Sequence, residues 1–230
     1  METNSENTVN GFKARCGPSY DKGWSIMSKT FVELLVVTLV YFVIQIPVNM
    51  IQVRPDHFEL FLIPIALFGL AYGVFIAGPI GYSTSWVFLK AVRREKIEIK
   101  DMFSVFERNY WNAVLAGFIV GIIVFFGIIM LIVPGIIFGV RLAFVQYLII
   151  DRKMEAMEAI KTSWEMTRGH GWQIFWMGLL AIPIFLAGLI LLFVGAFISG
   201  MWVATAFAVI YHAVCLKRGE NLVAIEQEQE

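Results

Sequence analysis

Few residues in this chain are of a type and spacing that could carry chemistry, and the most informative of them is Arg141. It lies inside an apolar run that extends from Leu131 to Ile150. A guanidinium cannot be neutralised in a protein, and at membrane depth it costs at least ~2.5–3.5 kcal/mol on insertion scales. Arg141 therefore needs a partner. The candidates are Glu59, Gln45 or the headgroup of an anionic lipid.

Two interpretations of Arg141 stay open at this point. On the functional one, it binds an anionic headgroup or substrate from the outer half of the membrane. On the structural one, it is bonded to backbone carbonyls or to Glu59 or Gln45, or it extends to the outer interface. It follows the turn at Pro134 and Gly135 by six residues, which is roughly 9 Å of helix. We favour the structural interpretation.

The other ionisable candidates have simple structural interpretations. Glu33 follows Lys29 by four residues and fits a local ion pair, with a proton-coupling carboxylate as the alternative. His170 fits a loop, and His212 fits a helix-packing stripe. The sequence shows no Ser-His-Asp order, no phosphate-binding glycine loop and no histidine pair with metal-ligand spacing. We predict a protein that is not an enzyme and has no cofactor, although it can hold a bound lipid.

The composition indicates which class of protein holds these residues in place. The chain is 59% hydrophobic and only 16% charged, whereas soluble domains carry about 25% charged residues. Its mean hydropathy is +0.74, and its formal net charge is zero. No nucleic acid partner is predicted, because the chain lacks excess positive charge. The predicted partners are the lipid bilayer and another membrane protein or complex, and a homo-oligomer is also compatible with the sequence.

Six segments are long and apolar enough to cross a membrane, so we predict an all-α polytopic protein with three helical hairpins. Apart from Arg141, sixteen basic residues fall on one side of these spans and only Arg54 on the other. The positive-inside rule then places both termini in the cytoplasm. The predicted spans are Thr30–Met50, Gly69–Lys90, Tyr110–Val133, Gly135–Ile150, Trp172–Val194 and Met201–Leu216.

The membrane domain is predicted to comprise residues 19–218. A disordered cytoplasmic N-terminus (1–18) precedes it, and a disordered acidic tail (219–230) follows. Residues 57–68 extend the apolar stretch of the second span beyond the length that one membrane crossing needs. They fit a re-entrant segment, an interfacial segment or part of a long helix. Small residues at every fourth position favour one continuous helix that packs through this stripe and is kinked at Pro79. The stripe consists of Gly69, Gly73, Ala77, Gly81 and Ser85.

Three weak repeats, near 20–95, 99–152 and 154–218, each begin with an amphipathic segment ahead of a hairpin. We predict that these segments are interfacial helices on the cytoplasmic side. In the third, Met154, Met157, Ile160 and Trp164 fall near one helical face. The residues predicted to contact lipid at this interface are Arg93, Arg94, Lys96, Trp164 and Trp172.

Several short motifs carry a family resemblance over most of the chain. They are Gly23–Lys29, Gly78–Tyr82, Lys90–Lys96, Asp101–Phe103, Val133–Gly135 with Arg141 after it, Glu158–Trp164 and Gly169–Trp172. As a set they resemble uncharacterised bacterial integral membrane proteins related to the membrane domain attached to some glycerophosphodiester phosphodiesterases. The resemblance implies a six-helix protein of the bacterial inner membrane without an assigned activity. The phosphodiesterase chemistry of the fused members belongs to a separate soluble domain and is not carried over.

Three functions are compatible with these observations. The first, which we favour, is a non-enzymatic accessory or scaffold subunit that packs against partner membrane proteins and lipids. The second is a small-molecule or lipid transporter or channel that uses Arg141. The third is lipid sensing or membrane shaping through the amphipathic segments.

Overall fold

A computed structural model describes residues 14–50, 63–190 and 192–228, and this part of the chain is helical without any strand. Six helical stretches within it are long and apolar enough to span a membrane, which confirms the prediction of a multi-pass membrane protein. The helices are α1 (Cys16–Lys29), α2 (Phe31–Met50), α3 (Ile63–Tyr72), α4 (Gly78–Arg93), α5 (Ser104–Arg108), α6 (Tyr110–Met130), α7 (Ile132–Arg141), α8 (Val145–Asp151), α9 (Ala156–Met166), α10 (Gly171–Ile190) and α11 (Leu192–Glu228).

The turn between α6 and α7 is shorter than predicted. Only Leu131 separates the two helices, and its backbone is extended. Pro134 therefore lies in the first turn of α7, where its missing N–H leaves no hydrogen bond broken. Gly135 packs so closely against α6 that a Cβ added to it would lie 2.8 Å from the backbone nitrogen of Ile128. The fourth span thus begins at Ile132 instead of Gly135.

The turn between α10 and α11 is also tighter than the predicted loop from Gly195 to Gly200. That stretch is helical, because α10 ends at Ile190 and α11 begins at Leu192. A Cβ on Gly188 would lie 2.5 Å from the carbonyl oxygen of Gly195. The absence of a side chain at Gly188 is what allows the two helices to approach this closely.

The predicted fourth span is broken in its middle. It forms α7 and α8, which are separated by a turn over residues 142–144. Ser163 of α9 stabilises the break, since its hydroxyl donates to the carbonyl oxygen of Arg141 (2.8 Å) and accepts from the backbone N–H of Phe144 (3.3 Å). A single side chain thereby satisfies two of the backbone groups that the break releases.

The second span is one helical run from Ile63 to Arg93 with a π-helical segment at Gly73–Ala77. The kink predicted at Pro79 corresponds to this π-helical segment, which ends at Ala77, just before the proline. Pro79 has no N–H for the carbonyl four residues earlier, that of Phe75. The hydroxyl of Tyr110 donates to this carbonyl instead, at 2.8 Å. Residues 57–62 of the ambiguous apolar segment lie outside the described residues.

The stripe of small residues on this run is only partly a packing seam. Gly69 and Ala77 are buried, and a Cβ on Gly81 would lie 3.4 Å from the hydroxyl oxygen of Tyr41. Gly73, in contrast, has no atom within 4 Å of its Cβ position. The stripe therefore packs against other residues at Gly69, Ala77 and Gly81 but not at Gly73.

The best-packed part of the molecule lies at the end of the bundle where α4 and α8 finish. The second half of α4, all of α8 and the middle of α11 are buried there, and α1 crosses α11 nearby. Gly23 allows this crossing, because its Cβ would lie 3.0 Å from the backbone nitrogen of Ala206. The hydroxyl of Tyr20 donates to the carbonyl of Met177 at 2.8 Å, and burial raises the pKa of this tyrosine. The first predicted amphipathic segment is therefore fixed to the core.

The third amphipathic segment includes the helix α9, as expected, and its predicted apolar face is largely turned to the core. Met154, Ile160 and Trp164 are partly buried against the core, whereas Met157 is exposed and small residues are the most deeply buried. The reason is that small side chains let the helix backbone approach α6 and α8 closely. The buried residues of α9 are Ala156, Ala159, Ser163 and Met166.

The structure describes helix within both of the end segments that were predicted to be disordered. Helix α1 begins at Cys16, inside the segment predicted to be disordered up to residue 18. Helix α11 continues to Glu228, so most of the acidic tail is a helical extension of the sixth span. Leu, Ala, Glu and Gln are strong helix formers, and extending an existing helix needs no new nucleation. Residues 1–13 lie outside the described part of the chain.

Candidate functional site

Arg141 is the last residue of α7 and lies against α9. Its guanidinium carbon is 5.6 Å from the ring centroid of Trp164, a distance that allows a cation–π interaction. Phe138, one turn earlier on α7, packs against the same indole with ring centroids 6.0 Å apart. The hydroxyls of Ser163 and Thr167 donate to the Arg141 carbonyl at 2.8 and 3.4 Å. Helix α9 therefore positions both the backbone and the side chain of Arg141.

This position corrects the sequence-based prediction. Arg141 was expected to lie close to the α6–α7 turn, but α7 has ten residues and Arg141 is at its far end, about 15 Å from the turn. Its neighbours are Trp164 and Ser163 of the third amphipathic segment. Gln45 donates instead to the hydroxyl of Tyr41 on its own helix, at 2.5 Å. Glu59 lies outside the described residues.

The guanidinium of Arg141 is not saturated by the protein. Its Nη1 atom is buried and has no hydrogen-bond partner among the residues that the structure describes. Cation–π contact with Trp164 does not replace the hydrogen bonds that this nitrogen would donate in water. A buried donor without an acceptor is costly, so an acceptor from outside the described chain would lower the energy of this site.

An open apolar groove begins at Arg141 and continues between α7 and α10. It encloses about 500 Å³. Trp172 stands at the same end as Arg141, is 69% exposed and stacks on Phe175 with centroids 5.4 Å apart. A second apolar groove of about 340 Å³ adjoins the first through Ile136, Val140 and Phe175. The first groove is lined by Val133, Ile136, Ile137, Val140, Arg141, Gly171, Trp172 and Phe175.

The start of α10 adds two further polar groups without partners. His170 Nδ1 and Gln173 Oε1 are buried, and neither is hydrogen bonded among the described residues. The pKa of His170 is lowered, first by burial and then by the charge of Lys217. Both effects favour the neutral form of His170.

Arg93 was predicted to contact lipid, and the structure corrects this. Its guanidinium donates to both carboxylate oxygens of Asp151, at 2.6 and 2.7 Å. Tyr211 donates to the same carboxylate at 3.0 Å, and Trp86 lies 5.5 Å from the guanidinium. Arg93 is thus engaged within the core. Asp151 and Tyr211 were missed, although Asp151 directly follows an apolar run, as a charged residue that ends a span does.

The neighbouring basic residues differ from Arg93. Arg94 is exposed and is the C-cap residue directly after α4. Its backbone has the left-handed conformation, with φ at +60°. Lys96 and Lys100 both pair with Glu98, at 3.0 and 2.7 Å. Hydrogen bonds from Lys100 and then Lys96 lower the pKa of Glu98 to about 2. Lipid contacts of Arg94, Lys96 and Trp164 stay predictions.

Two other cavities have different linings. One, of about 600 Å³, lies between the second span and α6 and is lined by apolar side chains, the ring of Tyr82 and several glycines. The other, of about 440 Å³, lies among α2, α4, α8 and α11 and includes Tyr41, Ser85 and Gln146. No Lys, Arg, Asp or Glu lines either cavity, so the α7–α10 groove differs from both in carrying a charge.

Within the described residues, no group of three or more His, Cys, Asp or Glu side chains could hold a metal ion. Comparisons with protein-family models, curated proteins and solved structures found no match to this chain. The family resemblance of the sequence motifs therefore stays a prediction, and the proposals below depend on the geometry of the molecule.

Proposed function

We propose that this chain is a non-enzymatic accessory or scaffold subunit that packs against another membrane protein. The observation that carries the proposal is the open, glycine-lined groove between the second span and α6. Gly73 and Gly121 line it from its two sides, and neither has any atom within 4 Å of its Cβ position. The groove encloses about 600 Å³.

Glycine surfaces of this kind favour helix association in membranes. Lipid tails are as apolar as leucine, so helices associate there through close packing and not through the hydrophobic effect. A groove that exposes glycine allows a partner helix to bring its side chains close to the backbone. Its rim carries the large exposed side chains Leu70, Phe118 and Phe125, which would pack around an inserted helix.

The uneven packing of the molecule also supports a scaffold. Over an 18-residue stretch of each span, only 11% of the residues are buried in Phe31–Val48 and 17% in each of Tyr110–Met130 and Gly171–Ile190. The corresponding share within Val194–Gly219 is 50%. A rigid core at one end thus holds three spans whose surfaces are free to contact lipid or partner helices.

We also propose that the packed end of the bundle faces the cytoplasm of a bacterium and that the spans lie in its inner membrane. Several ion pairs link the basic ends of the spans to acidic groups at this same end, in agreement with the positive-inside rule. They are Lys90–Asp101, Arg93–Asp151 and Arg218–Glu165. Fusing a reporter to each terminus tests the orientation, and cytoplasmic signals are expected at both.

The scaffold proposal is tested by filling the groove. We expect Gly121→Leu to fold, because no described atom lies within 4 Å of its Cβ position, and to release a membrane protein that co-purifies with the wild type in native nanodiscs. Gly178→Leu is the matched control, since Gly178 is also open but does not line this groove. A second copy of the chain as the partner would establish a homo-oligomer. A wild-type chain that purifies without any stoichiometric protein partner would overturn the proposal.

Anion transport past Arg141 is a second candidate, and the unpaired Nη1 atom favours it. Reconstituted vesicles then show anion flux that Arg141→Gln abolishes. Equal flux in wild-type and variant vesicles, or no flux in either, rejects this candidate.

A further inference from the structure

We infer that the groove between α7 and α10 binds an anionic phospholipid, with its phosphate on Arg141 and an acyl chain along the apolar part of the groove. The inference does not depend on the proposed scaffold function. The helices that form this groove are α7 and α10, whereas the glycine-lined groove is formed by the second span and α6.

The first argument is that Arg141 is held in place before any ligand arrives. Trp164 lies under the guanidinium at 5.6 Å, and the hydroxyls of Ser163 and Thr167 fix the carbonyl of Arg141. A side chain that is already ordered loses little conformational entropy when it binds a ligand. Arg141 also lines the groove itself, so the residue held in this way belongs to the wall that a bound ligand would contact.

The second argument is the charge that Arg141 brings into an apolar lining. Among the described residues no carboxylate forms an ion pair with it, and its buried Nη1 has no acceptor. A phosphate is complementary to a guanidinium, because two parallel N–H groups can donate to two of its oxygens. The missing partner is therefore an anion, and phosphate fits the donor geometry best.

The third argument decides between a free anion and a lipid. Apart from Arg141 and the indole N–H of Trp172, the groove is lined by aliphatic side chains, a phenyl ring and glycine. A free phosphate would need several more donors to replace its water shell. An acyl chain, however, matches the Val, Ile and Phe surface that continues from Arg141 to Val133, about 12 Å away along α7.

Trp172 indicates independently where the headgroup level lies. An exposed tryptophan at the start of a spanning helix is typical of the membrane interface, where the ring sits at headgroup depth. Trp172 begins α10 and lines the same groove as Arg141. An anion bound by Arg141 would thus lie beside Trp172 at the interface, with its chain directed into the hydrocarbon region between the two helices.

The test is native mass spectrometry of the purified, delipidated full-length chain, titrated with phosphatidylglycerol or with phosphatidylcholine of identical acyl chains. For the wild type we expect one tightly retained phosphatidylglycerol, with at least tenfold weaker retention of phosphatidylcholine. Arg141→Gln should weaken phosphatidylglycerol binding about tenfold or more. Arg141→Lys keeps the positive charge but loses the planar guanidinium group. Its affinity for phosphatidylglycerol should therefore lie between that of the wild type and that of Arg141→Gln.

Two further variants keep the inference testable if Arg141→Gln does not fold. Ile137→Trp leaves Arg141 in place and fills the groove from an exposed position, so it should also weaken binding about tenfold. Arg94→Gln removes an exposed arginine outside the groove and should change binding less than twofold. Equal retention of both lipids, a change of less than twofold in both groove variants, or a loss confined to Arg94→Gln would overturn the inference. Displacement of the lipid by millimolar inorganic phosphate would overturn it in favour of a free anion.

Discussion

The ion pair between Arg93 and Asp151 provides the sharpest test of how the helices are held together. It joins the end of α4 to the end of α8. Asp151 is only 8% exposed and accepts three hydrogen bonds, two from Arg93 and one from Tyr211. We expect Asp151→Asn to destabilise the protein strongly, because Arg93 then loses its counter-charge inside the core.

The magnitude follows from the burial of the two partners. Breaking a buried ion pair by removing one partner costs about 3–5 kcal/mol. Arg93 keeps 24% of its side chain exposed, and water can reach it when the carboxylate is gone. We therefore expect the lower end, ~3 kcal/mol, for Asp151→Asn. Tyr211→Phe removes the hydrogen bond to the charged Asp151, whose loss should cost about 1.5 kcal/mol.

The assay is reversible unfolding in mixed micelles, which gives the free energy of unfolding of each variant. A double-mutant cycle with Arg93→Gln and Asp151→Asn isolates the pair, since contacting residues deviate from additivity by 0.5–3 kcal/mol, on the order of the pair's own contribution. Glu98→Gln is the control. It removes a carboxylate that also pairs with basic residues but lies at the surface, where such pairs contribute little.

Two results would refute the reasoning. If Asp151→Asn unfolds with the same free energy as Glu98→Gln, the pair does not hold α4 and α8 together. If the effects of the two substitutions are additive, Arg93 and Asp151 stabilise the protein independently. The bidentate ion pair between them is then not the cause of the lost stability.

Two further predictions concern the α10–α11 turn and the surface carboxylate. Gly188→Ala should cost about 1–3 kcal/mol of unfolding free energy, because its Cβ would lie 2.5 Å from the Gly195 carbonyl oxygen. Gly178→Ala is the control. Its Cβ position is open, so it should be neutral or slightly stabilising in the same unfolding assay. Glu98, with its pKa lowered from 4.5 to about 2, makes a small surface contribution to stability that is complete above its unfolded pKa and is lost as the pH falls through about 2. Carboxyl NMR should show it titrating near 2, and a midpoint near 4.5 in the wild type would contradict the pairing with Lys96 and Lys100.

Much of the architecture could be predicted because the signals for it are local. Each span is a run of about 20 apolar residues, and the six that the sequence indicates match the six helical stretches of the structure. The irregularity near Pro79 follows from the missing N–H of one residue. Helix bounds were less predictable. Pro134 and the glycines around 195–200 mark turns in the sequence, yet the structure places both inside helices.

The candidate site shows why the remainder needed the structure. The break after Arg141 is stabilised by Ser163, which lies 22 residues later in the chain. No local pattern connects these two residues. The partners of Arg93 are similarly remote, since Asp151 and Tyr211 come from α8 and α11. The sequence therefore identified Arg141 as a charge that needs a partner and Arg93 as a lipid contact, but it could not show that Arg93 is paired with Asp151.

The sequence by itself determined that the described part of this chain is helical, that six stretches are long and apolar enough to span a membrane, and that one arginine lies in an apolar run. Each of these properties depends on the free energy of transferring a local segment between water and lipid. The tertiary structure alone decided that Arg93 is paired within the core. It also decided that Arg141 lies on Trp164 at the head of an apolar groove, with one guanidinium nitrogen that no described residue pairs. Those outcomes depend on which distant helices pack together, and hydropathy carries no information about that choice.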